Sequence, residues 1–145
     1  MLTTKVLKNI NSSYIKEISN NLKPLIHRDI TNAIINGISN NTYPITIILL
    51  KNQELIGFYQ ITSHDNDNTF YTPWLANVFI KEEYRNQGYG RILISSIPKY
   101  LKKLNISTLY LHTRHKGLYE KFGWQKIKPL DLGDGIKRNI YTLKK

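Results

Sequence analysis

A mostly apolar run that leads into an arginine and two glycines, and then into an amphipathic helix, constrains the fold of this chain more than any other feature. Residues 75–80 have the composition of a buried strand, and residues 85–91 read Arg-Asn-Gln-Gly-Tyr-Gly-Arg. Beyond this turn, apolar residues recur at helical spacing at Leu93, Ile97, Leu101 and Leu104. The pattern predicts a strand, a tight turn and a helix over residues 88–104.

The turn has the chemistry of an anion site. The first amides of a helix have no partner within the helix, and the macrodipole adds partial positive charge there. Gly88 and Gly90 allow close backbone approach to a phosphate, while Arg85 and Arg91 add full charges. The turn lacks the Gly-Lys-Ser/Thr ending of an ATP-binding P-loop and the third glycine of a dinucleotide fingerprint. It therefore predicts a diphosphate on some other ligand, and the alternative is an exposed turn that only begins a helix.

A second motif lies downstream, where an apolar strand at residues 109–111 is followed at 118–124 by Leu-Tyr-Glu-Lys-Phe-Gly-Trp. In order and spacing, the two motifs together resemble the GNAT superfamily of N-acetyltransferases. The resemblance covers about residues 73–125, and the first third of the chain carries no family signature. It implies an α/β fold with a mixed, mainly antiparallel sheet and helices on both faces, with acetyl-CoA as co-substrate and an amine of a small molecule or protein as acceptor.

The resemblance also implies which residues bind the coenzyme. In this family the Arg/Gln-x-x-Gly-x-Gly/Ala turn holds the pyrophosphate, and the preceding strand offers free backbone groups to the pantetheine arm. The residues expected to bind the coenzyme here are Val78, Phe79, Ile80, Arg85, Asn86, Gln87, Gly88, Tyr89, Gly90 and Arg91. We expect residues 78–80 to be left incompletely paired by the next strand, so that the ligand can take the place of a strand.

Tyr119 is the candidate proton donor to the departing thiolate, because a tyrosine at this place in the motif often lies beside the coenzyme sulfur in the family. A phenol at that position can act as a general acid. The alternative is that Tyr119 packs a short helix against the sheet, as Leu118 and Phe122 would. We therefore expect a direct transfer of the acetyl group, with Tyr119 as the general acid.

The general base is not identified by the motifs. Some family members carry a glutamate eleven residues before the motif arginine, but that position is Trp74 here, and residues 69–80 contain no carboxylate. His112 corresponds by its spacing to a cofactor-contacting asparagine of the family and has a suitable unperturbed pKa. Two weaker candidates for the base, His64 and Asp65, lie in the polar stretch that follows the apolar run ending at residue 62. A chain of water molecules that carries the proton to solvent is an equal alternative to any of these side chains.

The residues that could line the acceptor pocket, or instead pack the core, are Phe70, Tyr71 and Trp74.

Composition limits the other classes of function. At 145 residues the chain is expected to be a single N-acetyltransferase domain, residues 1–145. It has no cysteine, which excludes disulfides and thiol catalysis and fits the cytoplasm, and its four histidines lack a His-x-x-x-His spacing, so no metal is expected. The longest apolar run, residues 45–50, is too short to cross a membrane.

The net charge of +11 suggests either a nucleic-acid surface or a solvated basic surface that attracts a polyanionic coenzyme. The lysines are dispersed and no readout motif is present, so no specific nucleic-acid partner is expected. Two further classes stay open, a GNAT-like coenzyme sensor or interaction module without catalysis and a basic nucleic-acid-binding protein. A homodimer is also left open.

The remaining pattern predicts seven strands and two early helices. A helix is expected after Ser12 and Ser13 and another after Asp29, because these residues are good N-caps. Pro98 has no amide to bond the carbonyl of Ile94, so the main helix should break near it. The predicted strands are residues 4–9, 45–50, 55–62, 75–80, 109–113, 125–128 and 137–143.

Overall fold

The computed structural model of this protein describes residues 1–26, 29–64 and 70–145. The strands are β1 (Leu2–Val6), β2 (Ile45–Lys51), β3 (Glu54–Thr62), β4 (Trp74–Ile80), β5 (Thr108–Thr113), β6 (Gln125–Leu130) and β7 (Arg138–Lys144). The helices are α1 (Ser13–Leu22), α2 (Ile30–Ser39), α3 (Tyr89–Ser95) and α4 (Ile97–Lys103), with 3-10 turns at Glu82–Tyr84 and Tyr119–Phe122. The predicted elements are therefore all present.

All seven strands form one sheet in the order β1-β2-β3-β4-β5-β7-β6. Every neighbouring pair is antiparallel except β4 and β5, which run parallel. A parallel pair needs a crossover, and the residues between β4 and β5 supply it as the phosphate-loop candidate and the helices α3 and α4. Residues 85–91 therefore follow the end of β4, beside the parallel pair that β4 forms with β5.

Helices cover both faces of the sheet, because the central strands are apolar on both sides. On β2, Ile47 and Leu49 pack in one cluster with α3 and α4, while Ile48 and Leu50 pack in the other with α1 and α2. Such continuous apolar runs are typical of strands buried on both faces. The predicted mixed, mainly antiparallel sheet with helices on both faces is confirmed.

Local chemistry sets the helix boundaries. Ser12 caps α1 and Asp29 caps α2, each by accepting a hydrogen bond from a backbone amide of the first turn. The helix predicted over residues 88–104 is divided at Ser96 into α3 and α4, two residues before Pro98, as the missing proline amide requires.

The first strand was misplaced by the sequence prediction. It covers Leu2–Val6, whereas the pattern predicted residues 4–9. The apolar residue Leu7 misled the prediction, because it is buried in the cluster under α1 and α2, just beyond the strand. Its amide still donates to the carbonyl of Thr46, after which the chain leaves the sheet for α1.

Strands β3 and β4 approach closely around an irregularity in their pairing. The register shifts between Phe58 and Gln60 of β3, and opposite this point Asn77 of β4 has a positive φ of 55°. Extra residues of this kind bend a strand and redirect the side chains around it. A Cβ atom on Gly57 would lie 2.5 Å from the carbonyl oxygen of Phe79, so only glycine fits here.

We expect Gly57→Ala to lower the free energy of unfolding by roughly 1–3 kcal/mol, because β3 must move away from β4 to admit the methyl group. Thermal denaturation monitored by circular dichroism measures this change. Gly90→Ala is the matched control, since a Cβ at Gly90 meets no heavy atom within 4 Å and the residue is helical. Equal stabilities of the two variants would contradict the close approach at Gly57.

Candidate functional site

The parallel strands β4 and β5 separate almost as soon as they meet. Their pairing is confined to Trp74 opposite Tyr110, with the amide of Tyr110 donating to the carbonyl of Pro73. On its other side, β4 stays paired with β3 as far as Ile80. The edge of residues 76–80 that faces β5 is therefore open in the middle of the sheet. This incomplete pairing agrees with the expectation for residues 78–80.

A cleft of about 670 Å³ occupies the end of this gap. One wall is the last part of β4 with Tyr84, the floor is the glycine turn before α3, and the other wall is formed by residues between β5 and β6. The lining residues are Val78, Phe79, Ile80, Tyr84, Arg85, Asn86, Gly88, Tyr89, Gly90, His115 and Leu118. Eight of these belong to the ten residues expected to bind the coenzyme.

The glycine turn presents unpaired backbone amides. Within the parts of the chain that the structure describes, no acceptor pairs with the amides of residues 86–91. Asn86 has a φ of 62° and Gly88 a φ of 85°, which turns the chain into α3. A Cβ on Gly88 or Gly90 would meet no protein atom within 4 Å, so the space beside both glycines is open. Such an arrangement of donors fits a phosphate group.

Arg85 is held in place by the end of β4. Its Nε donates to the carbonyl of Ile80 at 2.8 Å, and its guanidinium carbon lies 5.1 Å from the ring centre of Phe79. This hydrogen bond and stacking leave the two terminal nitrogens of an exposed guanidinium as donors. Arg85 can therefore add directed charge to the cleft.

Two of the ten predicted coenzyme residues do not line the cleft. Gln87 donates through its side-chain amide to the carbonyl of Glu83, back along the turn. Arg91 lies along a separate groove with residues of β1, α3 and α4, including Thr4 and Lys99. Their part in coenzyme binding stays a prediction.

Tyr119 is half-buried and is not among the residues that line the cleft. Its ring contacts the buried Trp124 edge to face, at 5.9 Å between ring centres, and its neighbour Leu118 lines the cleft. Burial raises the pKa of the Tyr119 phenol above its usual value of 10. A phenol is protonated at neutral pH even at its usual pKa, and the burial of Tyr119 favours the same form, which is the one that a general acid needs. Trp124 itself is buried in the core cluster that also holds Leu111 and Tyr141.

His112 and Tyr119 are associated with opposite faces of the sheet. On β5, Leu111 packs into the cluster that also holds Trp124, whereas the ring of His112 packs against Trp74 at 5.9 Å. Trp74 has no exposed surface, and its indole nitrogen donates to the carbonyl of Tyr71. Trp74 is therefore a core residue and not part of an open acceptor pocket. The ring of Phe70 is 91% exposed.

A second cavity, of about 290 Å³, opens beside the irregularity of β4 on the side of α2. Asn77 lines it, while the next residue, Val78, lines the cleft. A chain of side-chain amides extends inward, from Asn77 to the Gln60 oxygen at 2.8 Å and from Gln60 to Thr46 at 3.1 Å. The two cavities are therefore lined by adjacent residues of one strand, Asn77 and Val78.

His64 lines the second cavity and its ring contacts the hydroxyl of Ser63 at 3.1 Å. Asp65, the other weak candidate for the base, lies outside the described residues. Sequence reasoning missed the second cavity and, in the cleft, missed Tyr84, His115 and Leu118 as lining residues. One signal was available, because asparagine inside an apolar strand tolerates a positive φ and can mark a bulge.

The turn before the glycine loop is anchored to α1. Lys81 Nζ lies 2.7 Å from Glu17 Oε1, and the two side chains are 13% and 36% exposed. The hydrogen bond to Glu17 is the main reason that the pKa of Lys81 is raised. A raised lysine pKa means that the folded state favours the charged form.

Because the folded pKa of Lys81 is raised, its contribution to stability is complete below the usual lysine pKa of 10.5 and is lost as the pH rises through the folded value. We expect Lys81→Met to lower the free energy of unfolding by about 1 kcal/mol at pH 8, with a smaller difference above pH ~10.5. Chemical denaturation across this pH range measures it. Lys16→Met, at an exposed position of α1, is the control. A difference that stays constant with pH would contradict the role of the pair.

A family model for the acetyltransferase (GNAT) domain matches residues 43–126, which is more than half of the chain and includes β4, the glycine turn and Tyr119. This chain belongs to the GNAT family. The family predicted from the two motifs is therefore confirmed, and the match extends upstream of them to β2 and β3.

The chain is also similar to two bacterial proteins, one of which is a named N-acetyltransferase. The GNAT chain is 30% identical over 74 residues to the uncharacterized protein YyaT of Bacillus subtilis, covering 50% of each chain. It is 28% identical over 97 residues to the ribosomal protein bS18-alanine N-acetyltransferase of Haemophilus influenzae, covering 64% of this chain and 58% of that one. The matches thus span about half the length of these relatives.

An aminoglycoside 6′-N-acetyltransferase solved in complex with coenzyme A superposes with a TM-score of 0.72 at 15% identity, covering 98% of this chain and 96% of the other. At this identity the likeness shows a shared fold.

Among the described residues of the GNAT chain, no cluster of histidine and carboxylate side chains is arranged to hold a metal ion. No helix among them is long and apolar enough to cross a membrane.

Proposed function

We propose that this protein is an N-acetyltransferase that transfers the acetyl group of acetyl-CoA to a primary amine. The observation that carries the proposal is the open edge of β4, which ends at a turn of unpaired amides. An extended ligand with amide groups can bond this edge as an added strand, and a diphosphate at its end can accept from the turn. The pantetheine arm and pyrophosphate of coenzyme A have this chemistry in this order.

The amine is proposed to enter through the cavity beside Asn77. This cavity is lined by Asn77 and the coenzyme cleft by the next residue, Val78, so an amine held beside Asn77 is proposed to approach a thioester lying along β4. The amide oxygen of Asn77 is an available acceptor for an amine N–H, because its nitrogen is oriented by the bond to Gln60.

Acetyl transfer forms a C–N bond, breaks the C–S bond, releases a proton from the amine and protonates the thiolate. Tyr119 is proposed to supply the thiolate proton, since burial keeps the phenol protonated. The amine proton is proposed to leave through water or through a histidine, of which His64 lines the amine cavity and His112 lies on β5.

The acceptor class is tested by a screen. Acetyl-CoA consumption is measured with a panel of small amines, aminoglycosides and peptides that begin with alanine, and the products are identified by mass spectrometry. The name of the Haemophilus influenzae relative motivates the alanine peptides, and the solved aminoglycoside enzyme motivates the aminoglycosides. A product acetylated on nitrogen supports the proposal.

A coenzyme-binding module without catalysis is the second candidate, and the absence of any aspartate or glutamate from β4 is the observation that favours it. It predicts that coenzyme A binds while every member of the panel stays unmodified. Measuring coenzyme A binding by calorimetry beside the screen separates the two functions.

A further inference from the structure

One residue of the cleft wall opposite β4 comes from a short basic loop, defined here as residues 114–116. It follows β5 directly and reads Arg114, His115 and Lys116, all of them exposed. The middle residue, His115, lines the cleft together with Leu118. The cleft is therefore lined both by Arg85 and by one residue of the basic loop.

The charges of the basic loop are not neutralised by neighbouring carboxylates. Between the described residues, the ion pairs are Lys81 with Glu17 and Arg138 with Asp134. The nearest carboxylate along the chain, Glu120, is engaged elsewhere, since it accepts from the amide of Gly117 and from the hydroxyl of Tyr141. Glu120 thus fixes the backbone just after the basic loop, and among the described residues the side chains of Arg114 and Lys116 form no ion pair that would keep them from a ligand.

One phosphate-binding element already exists at the floor of the cleft, where the amides of residues 86–91 lie beside Arg85. His115, which lines the same cleft and is flanked along the chain by Arg114 and Lys116, suits a ligand with a second anionic group, separated from the first. Coenzyme A is such a ligand, because it carries a 3′-phosphate on its ribose in addition to the pyrophosphate.

We propose that the basic loop, through His115 and its neighbours Arg114 and Lys116, binds the ribose 3′-phosphate and so makes the protein select coenzyme A over 3′-dephospho-coenzyme A. This inference rests on the proposed function, since it names a further contact of the same coenzyme. Hydrogen bonds between cationic side chains and phosphate oxygens are charge-assisted and are stronger than neutral ones.

The selection is measured by isothermal titration calorimetry with two probes, coenzyme A and 3′-dephospho-coenzyme A. We expect the wild-type protein to bind coenzyme A about 10-fold to 100-fold more tightly than the dephospho form, in line with one or two charge-assisted hydrogen bonds. The ratio should fall in high salt, because the basic loop is exposed to solvent.

The test variant is Arg114→Gln/Lys116→Gln, with His115→Asn as a separate variant. Each should lose most of the preference for coenzyme A while keeping the affinity for the dephospho form, which also shows that the variant is folded. Lys23→Gln/Lys102→Gln, which removes two exposed charges away from the cleft, is the control and should keep the wild-type ratio.

The outcomes separate this inference from the proposed function. Equal binding of the two probes by the wild type, or an unchanged ratio in both loop variants, overturns the phosphate contact and leaves coenzyme binding in place. A loss of the ratio in the control variant as well would assign the preference to overall charge, and that also overturns it. If the wild type binds neither probe, the proposed function fails and the inference fails with it.

Discussion

Gly90→Leu should weaken the binding of coenzyme A by about 100-fold or more, equivalent to ~2.7 kcal/mol, because its side chain would fill the place proposed for the pyrophosphate. The position is favourable for such a test, since a Cβ at Gly90 meets no protein atom within 4 Å and the residue lies in the first turn of α3. The variant should therefore fold, and calorimetry measures the loss of affinity. Gly88→Leu should have a similar effect with some loss of stability, because its φ of 85° strains any side chain.

The control for this experiment is Ser95→Leu, which adds a leucine at an exposed position of the same helix that does not line the cleft. It should bind coenzyme A as the wild type does. Wild-type affinity in a folded Gly90→Leu protein would show that the coenzyme does not lie against this turn.

Tyr119→Phe should lower turnover by about 10²–10⁴-fold, which is the usual contribution of a general acid. The change keeps the ring that packs on Trp124 and removes only the hydroxyl. Affinity for coenzyme A and the melting temperature should stay close to those of the wild type, because only a contact of the transition state is lost. The assay uses the acceptor that the amine screen identifies.

The raised pKa of Tyr119 sets the pH dependence of this effect. Since burial raises the pKa above 10, the wild-type phenol stays protonated throughout pH 6–9, and the ratio of wild-type to variant turnover should be constant there. Tyr14→Phe, on α1, is the matched control and should keep its turnover. Unchanged turnover in Tyr119→Phe would make Tyr119 a packing residue, and a collapse of stability would make its hydroxyl a structural donor.

Most of the fold was readable from the sequence because its signals are local. Alternating and continuous apolar runs predicted the strands, and the capping residues Ser12 and Asp29 predicted where α1 and α2 begin. Pro98 predicted the break between α3 and α4. The displaced β1 shows the limit of this reasoning. An apolar residue such as Leu7 can be buried by a strand or by the connection that follows it, and only tertiary packing decides which.

The candidate site likewise has a part that the sequence predicts and a part that depends on tertiary structure. The glycine turn could be predicted because its residues are contiguous, and their free amides follow from the start of a helix. The opposite wall could not, because His115 reaches the cleft only through the pairing of β5 with β7 and the path of the loop that follows β5. The same holds for the amide chain through Gln60, whose members come from three different strands.

The gap between β4 and β5 divides the sheet into two blocks, β1 to β4 and β5 to β7, joined in the sheet by the pair at Trp74 and Tyr110. Central strands are ordinarily the slowest to exchange their amide hydrogens with solvent, since they open only when the whole domain unfolds. The amides of β4 that face the gap have no strand to shield them, so we expect them to exchange as readily as those of an edge strand although they lie at the middle of the sheet. A bound strand-like ligand would slow this exchange.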